Sequence, residues 1–203
     1  IRKGQEQEFE KYNLIPIINS LGEAQIVEDF GKRINNYVTC LVNIDTGMGG
    51  LGFSKKDAIL FFENKNKYPN VKVQFIVSDL ACSNEPEHYM NKRQLEKIKF
   101  YTKYLNDKNQ ISIADSDGIF LGKDYHFGMV RAGIALYGIK SFSNNKHHNL
   151  KQVIRVTSSI LQIKEINEPT TIGYGSYYKI EDQKLVAVIP INCSNIYLNA
   201  SDN

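Results

Sequence analysis

Arg131 is the side chain whose setting most suggests chemistry. It is the one charge in Met129–Gly138, which reads Met-Val-Arg-Ala-Gly-Ile-Ala-Leu-Tyr-Gly. A guanidinium in such a run either sits at a strand end facing a cleft or is paired inside a site, and a structural ion pair is the plain alternative. Asp115-Ser116-Asp117-Gly118 sets a hydroxyl between two carboxylates, in a composition that makes a turn by itself. Gly47–Gly52 is glycine-rich, but its spacing is not that of a dinucleotide fingerprint. His126 stands alone beside Tyr125 and reads as structural. His147 and His148 lie in a polar stretch and could hold an adventitious metal. Nothing else has ligand spacing, so no metal site is assigned. Cys40 and Cys82 read as small buried residues. Tyr137 and Tyr174 read as structural tyrosines of the core.

The elements that must position these groups follow a repeating pattern. Ile1–Tyr12 is charged and weakly periodic, as in a helix. Leu14–Asn19 is a short apolar run, as in a strand buried on both faces. Gly22–Asn36 has helical spacing through Ala24, Ile26, Val27, Phe30 and Ile34. Val38–Asp45 is the next strand, and Ser54 can cap a helix reaching about Lys67. Val71–Ser78 is a strand, and Asp79–Pro86 a loop. A helix from about Pro86 to Leu105 turns Tyr89, Leu95, Ile98, Tyr101 and Leu105 inward. Gln110–Ala114 is a further strand, and Met129–Gly138 reads as the last one of this unit. Strand and helix alternate, which predicts parallel βα units. About five strands are predicted, fewer than a closed (β/α) barrel needs.

The pattern changes after Gly138. Asn144–Asn149 is a polar linker, Val153–Ile163 and Leu185–Ile191 alternate, and Glu168-Pro169 and Ile172–Gly175 read as turns. The expected organisation is α/β: a partial (β/α) barrel over residues 1–140, then an incomplete β-rich domain over 150–203.

The 203 residues suffice for one or two domains with a real core. Hydrophobic content of 42% and charged content of 23% are ordinary for a globular protein. A net charge of +3 is too small to argue for nucleic acid or a membrane surface. No apolar run reaches the ~18 residues of a membrane span. No signal peptide is visible, and three cysteines make no disulfide framework, so a reducing cytoplasm is expected. A first residue other than Met and a polar last stretch, Asn195–Asn203, suggest a fragment.

Several stretches, in this order, resemble the alanine racemases, pyridoxal-phosphate enzymes of fold type III. Leu14–Ser20 is similar to their Leu-Ile-Pro-Val-Ile-Asn-Ser strand, and Asp45–Phe53 to Asp-Thr-Gly-Met-(Asn/Gly)-Arg-Leu-Gly-Phe. Ile113–Ser116 resembles their Ala-Asn-Ser strand end, and Met129–Gly138 their Met-Val-Arg-Pro-Gly-Ile-Ala-Leu-Tyr-Gly. Gly173-Tyr174-Gly175 and Ile189-Pro190-Ile191 resemble markers of the C-terminal β domain. The resemblance implies a TIM-like barrel followed by a β domain, in a homodimer whose active sites form where each barrel meets its partner's β domain. It implies that Arg131 hydrogen-bonds the pyridine nitrogen of pyridoxal 5′-phosphate. Such an arginine keeps its proton and so keeps that nitrogen unprotonated. It implies that Ser116, Gly133 and Ile134 hold the cofactor's phosphate, which suits a hydroxyl and backbone N–H groups at strand ends.

The chain departs from the family pattern in places. No lysine stands in the Lys-Ala-(Asn/Asp)-Ala-Tyr-Gly setting of the Schiff-base residue, and Cys193 stands where the catalytic tyrosine belongs. Racemisation needs an acid/base group on each face of the α-carbon, so no catalytic residue is assigned. Gly50 replaces an arginine, and Asn43 replaces its partner lysine, so an ion pair is lost whole. Asp115 replaces an asparagine. Asp79 replaces a histidine that stacks near the cofactor ring. The expected function is interconversion of L- and D-alanine for wall synthesis, with this chain inactive alone. A non-catalytic pyridoxal-phosphate binder, one half of a split enzyme and a decayed remnant are the alternatives. An amino-acid substrate is expected, with neither nucleic acid nor membrane as partner.

Overall fold

Two of the described helices begin at serine caps. Ser20 is extended, and its Oγ accepts the Glu23 N–H at 3.2 Å, which starts α1 of the main unit at Leu21–Ile34. Glu23 reaches back to the Asn19 N–H at 2.9 Å, so two orphan donors are satisfied at one helix end. Asn35 closes that helix in the left-handed region. Ser54 caps α2, Lys55–Glu63, by accepting from the Asp57 N–H at 3.1 Å. The third helix, α3, is Tyr89–Lys99, continued by a 3-10 turn at Phe100–Tyr104. A short helix, Glu6–Lys11, precedes all of these.

The structure is a computed structural model that describes residues 1–139 and 150–191. Four strands, β1 Ile17–Ile18, β2 Val38–Asn43, β3 Val71–Val77 and β4 Ile111–Ser112, form one sheet in that order. All neighbouring pairs are parallel, with a bulge between Cys40 and Leu41. Each strand is joined to the next through helix, so this unit is a partial (β/α) barrel. Its core is built from Ile18, Val42, Ile76 and Ile111 of the strands with Val27, Phe61 and Ile98 of the helices. β2 alternates between buried Val38, Cys40 and Val42 and partly covered neighbours.

Met129–Gly138 is not a strand. The Arg131 N–H donates to the Ala114 carbonyl at 2.9 Å, as a pairing strand would, but no ladder follows. Ser116 Oγ captures the Gly133 and Ala135 N–H groups at 2.8 and 3.2 Å, and the chain winds into a 3-10 turn at Ile134–Tyr137. Left-handed Gly138 ends it. The sheet therefore has four strands, not about five. Tyr89 also departs from expectation. It begins α3, stacks on His88 and is exposed, while Asn91, Gln94, Leu95 and Ile98 take the inward positions.

The described chain divides into a unit spanning Ile1–Val153 and a second beginning at Ile154. The second contains β5, Gln162–Ile166, antiparallel to β8, Lys184–Val188. It also pairs β6, Thr170–Ile172, with β7, Tyr178–Ile180. The expected strand at Val153–Ile163 is mostly irregular and becomes β5 only at Gln162. The linker Asn144–Asn149 and the stretch Asn195–Asn203 lie outside the described residues. No described helix is long and apolar enough to cross a membrane.

Candidate functional site

Parallel strands bring their C-terminal ends to one edge, and the loops that follow them can build a site there. Asn19 follows β1, Asp45 and Thr46 follow β2, Ser78 and Asp79 follow β3, and Asp115 and Ser116 follow β4. Arg131 reaches this edge from the segment after Ala114. Its Nε donates to Ser112 Oγ at 3.2 Å, its Nη1 to Asp79 Oδ1 at 2.7 Å, and its Nη2 to the Ser78 carbonyl. The guanidinium thus spans the ends of β3 and β4, and it is also ion-paired. Arg131 is thus ion-paired, as the plain alternative expects, and it reaches the strand ends from a segment that is not itself a strand.

Ser116 is buried, and its Oγ accepts from Gly133 and Ala135. Both hydroxyl lone pairs are therefore used, and its proton is left to donate. Gly133 and Ile134 are exposed beside it. Among the described residues the Ile134 N–H has no acceptor. Asp115 turns away into its own bonds. One carboxylate oxygen accepts the Gly118 N–H at 2.8 Å and the other accepts Ser83 Oγ at 3.0 Å. Ser116 is thus bonded to Gly133 beside Ile134, and the Arg131 guanidinium of the same segment reaches the ends of β3 and β4.

Two polar residues that the sequence reading passed over hold this edge in place. Gln94, fully buried on α3, donates to the Asp79 carbonyl at 2.8 Å and to Thr46 Oγ1 at 3.0 Å. It also accepts the Ala81 N–H at 2.9 Å. Thr46 and Ser78 share a buried hydroxyl hydrogen bond of 2.7 Å. A glutamine on the apolar stripe of α3 was the available signal, because a buried amide must find partners.

Asn43 and Gly50 form no ionic pair. The Asn43 amide donates to Asn19 Oδ1 at 2.9 Å and to the Leu51 carbonyl at 3.0 Å, tying the end of β1 to the glycine-rich loop. Asp45 Oδ1 gathers the N–H groups of Gly47, Met48 and Gly49 at 2.8, 2.9 and 3.2 Å. Gly52 is required there. At φ +133°, a Cβ would lie 2.7 Å from the Asp45 nitrogen. Between these loops a cavity of about 420 Å³ is lined by Asn19, Asn43, Asp45, Met48, Leu51 and Asp79. A larger one, of about 560 Å³, opens beside Lys55, Arg93, Lys97 and Phe100, and neither cavity is lined by Arg131 or Ser116.

The remaining candidates sit as follows. His126 Nε2 bonds the Ile119 carbonyl at 2.7 Å, a structural contact. Cys40 is buried, and burial pushes its thiol up to about 12. Tyr137 and Tyr174 are exposed rather than in the core, because each lies on a 3-10 turn whose outer face is uncovered within its own unit. His147, His148 and Cys193 lie outside the described residues. Among the described residues no group of three or more His, Cys, Asp or Glu could hold a metal ion.

Comparison with known proteins then decides the kinship of this edge. The family described as alanine racemase, N-terminal domain, matches residues 1–141. The chain belongs to the alanine racemase family. It is 32% identical over 183 residues to alanine racemase of Rickettsia bellii, covering 90% of this chain and 44% of that protein. The solved structure of alanine racemase from Bartonella henselae with covalently bound pyridoxal phosphate is 27% identical and superposes with a TM-score of 0.76. That match covers 96% of this chain and 54% of the other. Biosynthetic alanine racemase from Pseudomonas aeruginosa shares the fold at a TM-score of 0.80 and 19% identity, over 100% of this chain and 56% of the other. The chain spans about half the length of the alanine racemases it matches.

Proposed function

We propose that this alanine-racemase-type chain holds pyridoxal 5′-phosphate at the strand-end edge. Ser116, Gly133 and Ile134 would receive the phosphate, and Arg131 the pyridine nitrogen. The observation that carries the reading is the shared edge of Arg131 and Ser116 on β4 and its following turn. The residues fit the group at both ends. Arg131 uses three of the five N–H bonds a guanidinium carries, which leaves two for a ring acceptor. The Ser116 proton and the Ile134 N–H are the kind of donors a phosphate takes. When bound, the cofactor supplies an electron-withdrawing ring that acidifies the α-proton of an amino acid.

The whole reaction in this proposal is interconversion of L- and D-alanine, in a cytoplasmic homodimer whose product feeds wall synthesis. In this proposal the resemblance assigns residues 1–140 to the barrel and 150–203 to the β domain. With no lysine or tyrosine assigned to catalysis, the chain alone binds the cofactor without turnover. Asn43 and Gly50 favour this second, non-catalytic reading directly. Where the family pattern sets a substrate-side ion pair, neutral amide bonds tie two loops together. Purified chain titrated with pyridoxal phosphate should show saturable absorbance changes and form no D-alanine above a cofactor-only control. An absence of binding at millimolar cofactor would remove the proposal, and D-alanine formation would remove the second reading.

A further inference from the structure

We propose that Asp79 is a positioning residue that neutralises Arg131 and so raises the proton affinity of a pyridine nitrogen set against that guanidinium. The inference rests on the cofactor reading above. A free guanidinium beside a ring nitrogen opposes protonation, since it would place two like charges together. Here the guanidinium already carries a counter-charge. Asp79 Oδ1 lies 2.7 Å from Nη1, and the pair as a unit is near neutral. The electrostatic penalty for a proton on the neighbouring nitrogen falls accordingly.

The carboxylate is held where it acts. Gln94 grips the Asp79 carbonyl at 2.8 Å and the Ala81 N–H at 2.9 Å from inside α3. Ser78 is buried, and its carbonyl takes Nη2 of the same arginine. Backbone and side chain of this turn therefore approach Arg131 together. The other charged groups of the edge do not undo the effect. Asp45 adds negative charge to the cavity that Asp79 lines, although three backbone N–H groups solvate it. Asp115 is bonded to Ser83 and Gly118. Lys97 Nζ is bound to the Thr46 carbonyl at 2.7 Å.

The test uses pyridoxine 5′-phosphate labelled with ¹⁵N in the ring, which has no aldehyde to react with surface lysines. The full chain is first titrated to saturation with it. The ring-nitrogen chemical shift is then followed against pH in the native chain, in Asp79→Asn and in Asp79→Glu. Asp79 is half exposed on a loop, so neither change threatens the core. The expected result is a protonation midpoint about one pH unit lower in Asp79→Asn, with the native midpoint kept in Asp79→Glu. Saturable binding with the same midpoint in all three proteins overturns this inference and leaves the cofactor reading standing. No saturable binding in the native chain overturns both.

Discussion

Arg131 and Asp79 meet at 2.7 Å across two strand ends, Nη1 against Oδ1. Both side chains are partly open to water, so their attraction contributes about 0.2–1 kcal/mol to stability. The pair's weight lies in charge placement. The family pattern offers a stackable ring where this chain offers an anion, and that anion has gone to the guanidinium.

Ser116 is predicted to matter for both fold and ligand. Ser116→Ala removes the acceptor of two N–H groups and should cost about 1 kcal/mol, read as a lower urea midpoint. It should also weaken pyridoxal phosphate about tenfold in a fluorescence titration, equivalent to one lost hydrogen bond of about 1.4 kcal/mol.

Gly52 admits no side chain. Gly52→Ala would set a methyl group 2.7 Å from the Asp45 nitrogen and 3.1 Å from the Ile44 carbonyl carbon, both backbone atoms. Strained φ alone costs about 1–3 kcal/mol. For a chain of this size each kcal/mol is worth roughly 2–4 °C of Tm, so calorimetry should register a clear fall.

Glu28 is a buried carboxylate that accepts the Asn70 N–H at 2.8 Å and the Asn70 amide at 3.2 Å, next to Lys32. Glu28→Ala orphans that backbone donor between α1 and β3 and should destabilise by about 1–3 kcal/mol. Glu28→Gln keeps an acceptor and should lose less. Equal losses in denaturant titrations would contradict this account.

Cys40 makes stability pH-dependent on the alkaline side. Burial raises its thiol from 9.0 to about 12, so the folded state holds a proton that the unfolded chain has released. The unfolded state then binds fewer protons between those values, and stability falls as pH rises. The contribution is complete below pH 9 and is lost progressively towards pH 12. Burial also raises Tyr101 and Tyr125, which act in the same direction. Urea midpoints should decline above pH 9, and Cys40→Ala should decline less steeply. A thiol reagent at pH 8 should modify Cys82 and spare Cys40 until denaturant is added.

Local chemistry was legible in the sequence. Ser54 announced one helix start, helical spacing announced the helix over Leu21–Ile34, and the apolar runs Val38–Asp45 and Val71–Ser78 announced two strands. The residues at the proposed cofactor edge were named from the order of the family-like motifs, and the structure bonds Ser116 to Gly133 and Arg131 to Ser112, Ser78 and Asp79. The failure at Met129–Gly138 has a specific cause. An apolar run with two β-branched residues reads as a strand, but Ser116, 17 and 19 residues before the N–H groups of Gly133 and Ala135, takes the donors a ladder would need. No pattern within the run reveals that competitor. Gln94 and Asp79 were opaque for a similar reason, since their partners lie on other βα units.

The central claim is that the edge between Arg131 and Ser116 receives pyridoxal phosphate. A crystal structure of the chain with that cofactor tests it most directly. The account predicts phosphate oxygens within about 3 Å of Ser116 Oγ and the Ile134 nitrogen, with the ring nitrogen facing Arg131. A cofactor bound only to surface lysines, or one whose phosphate lies away from Ser116, would contradict it.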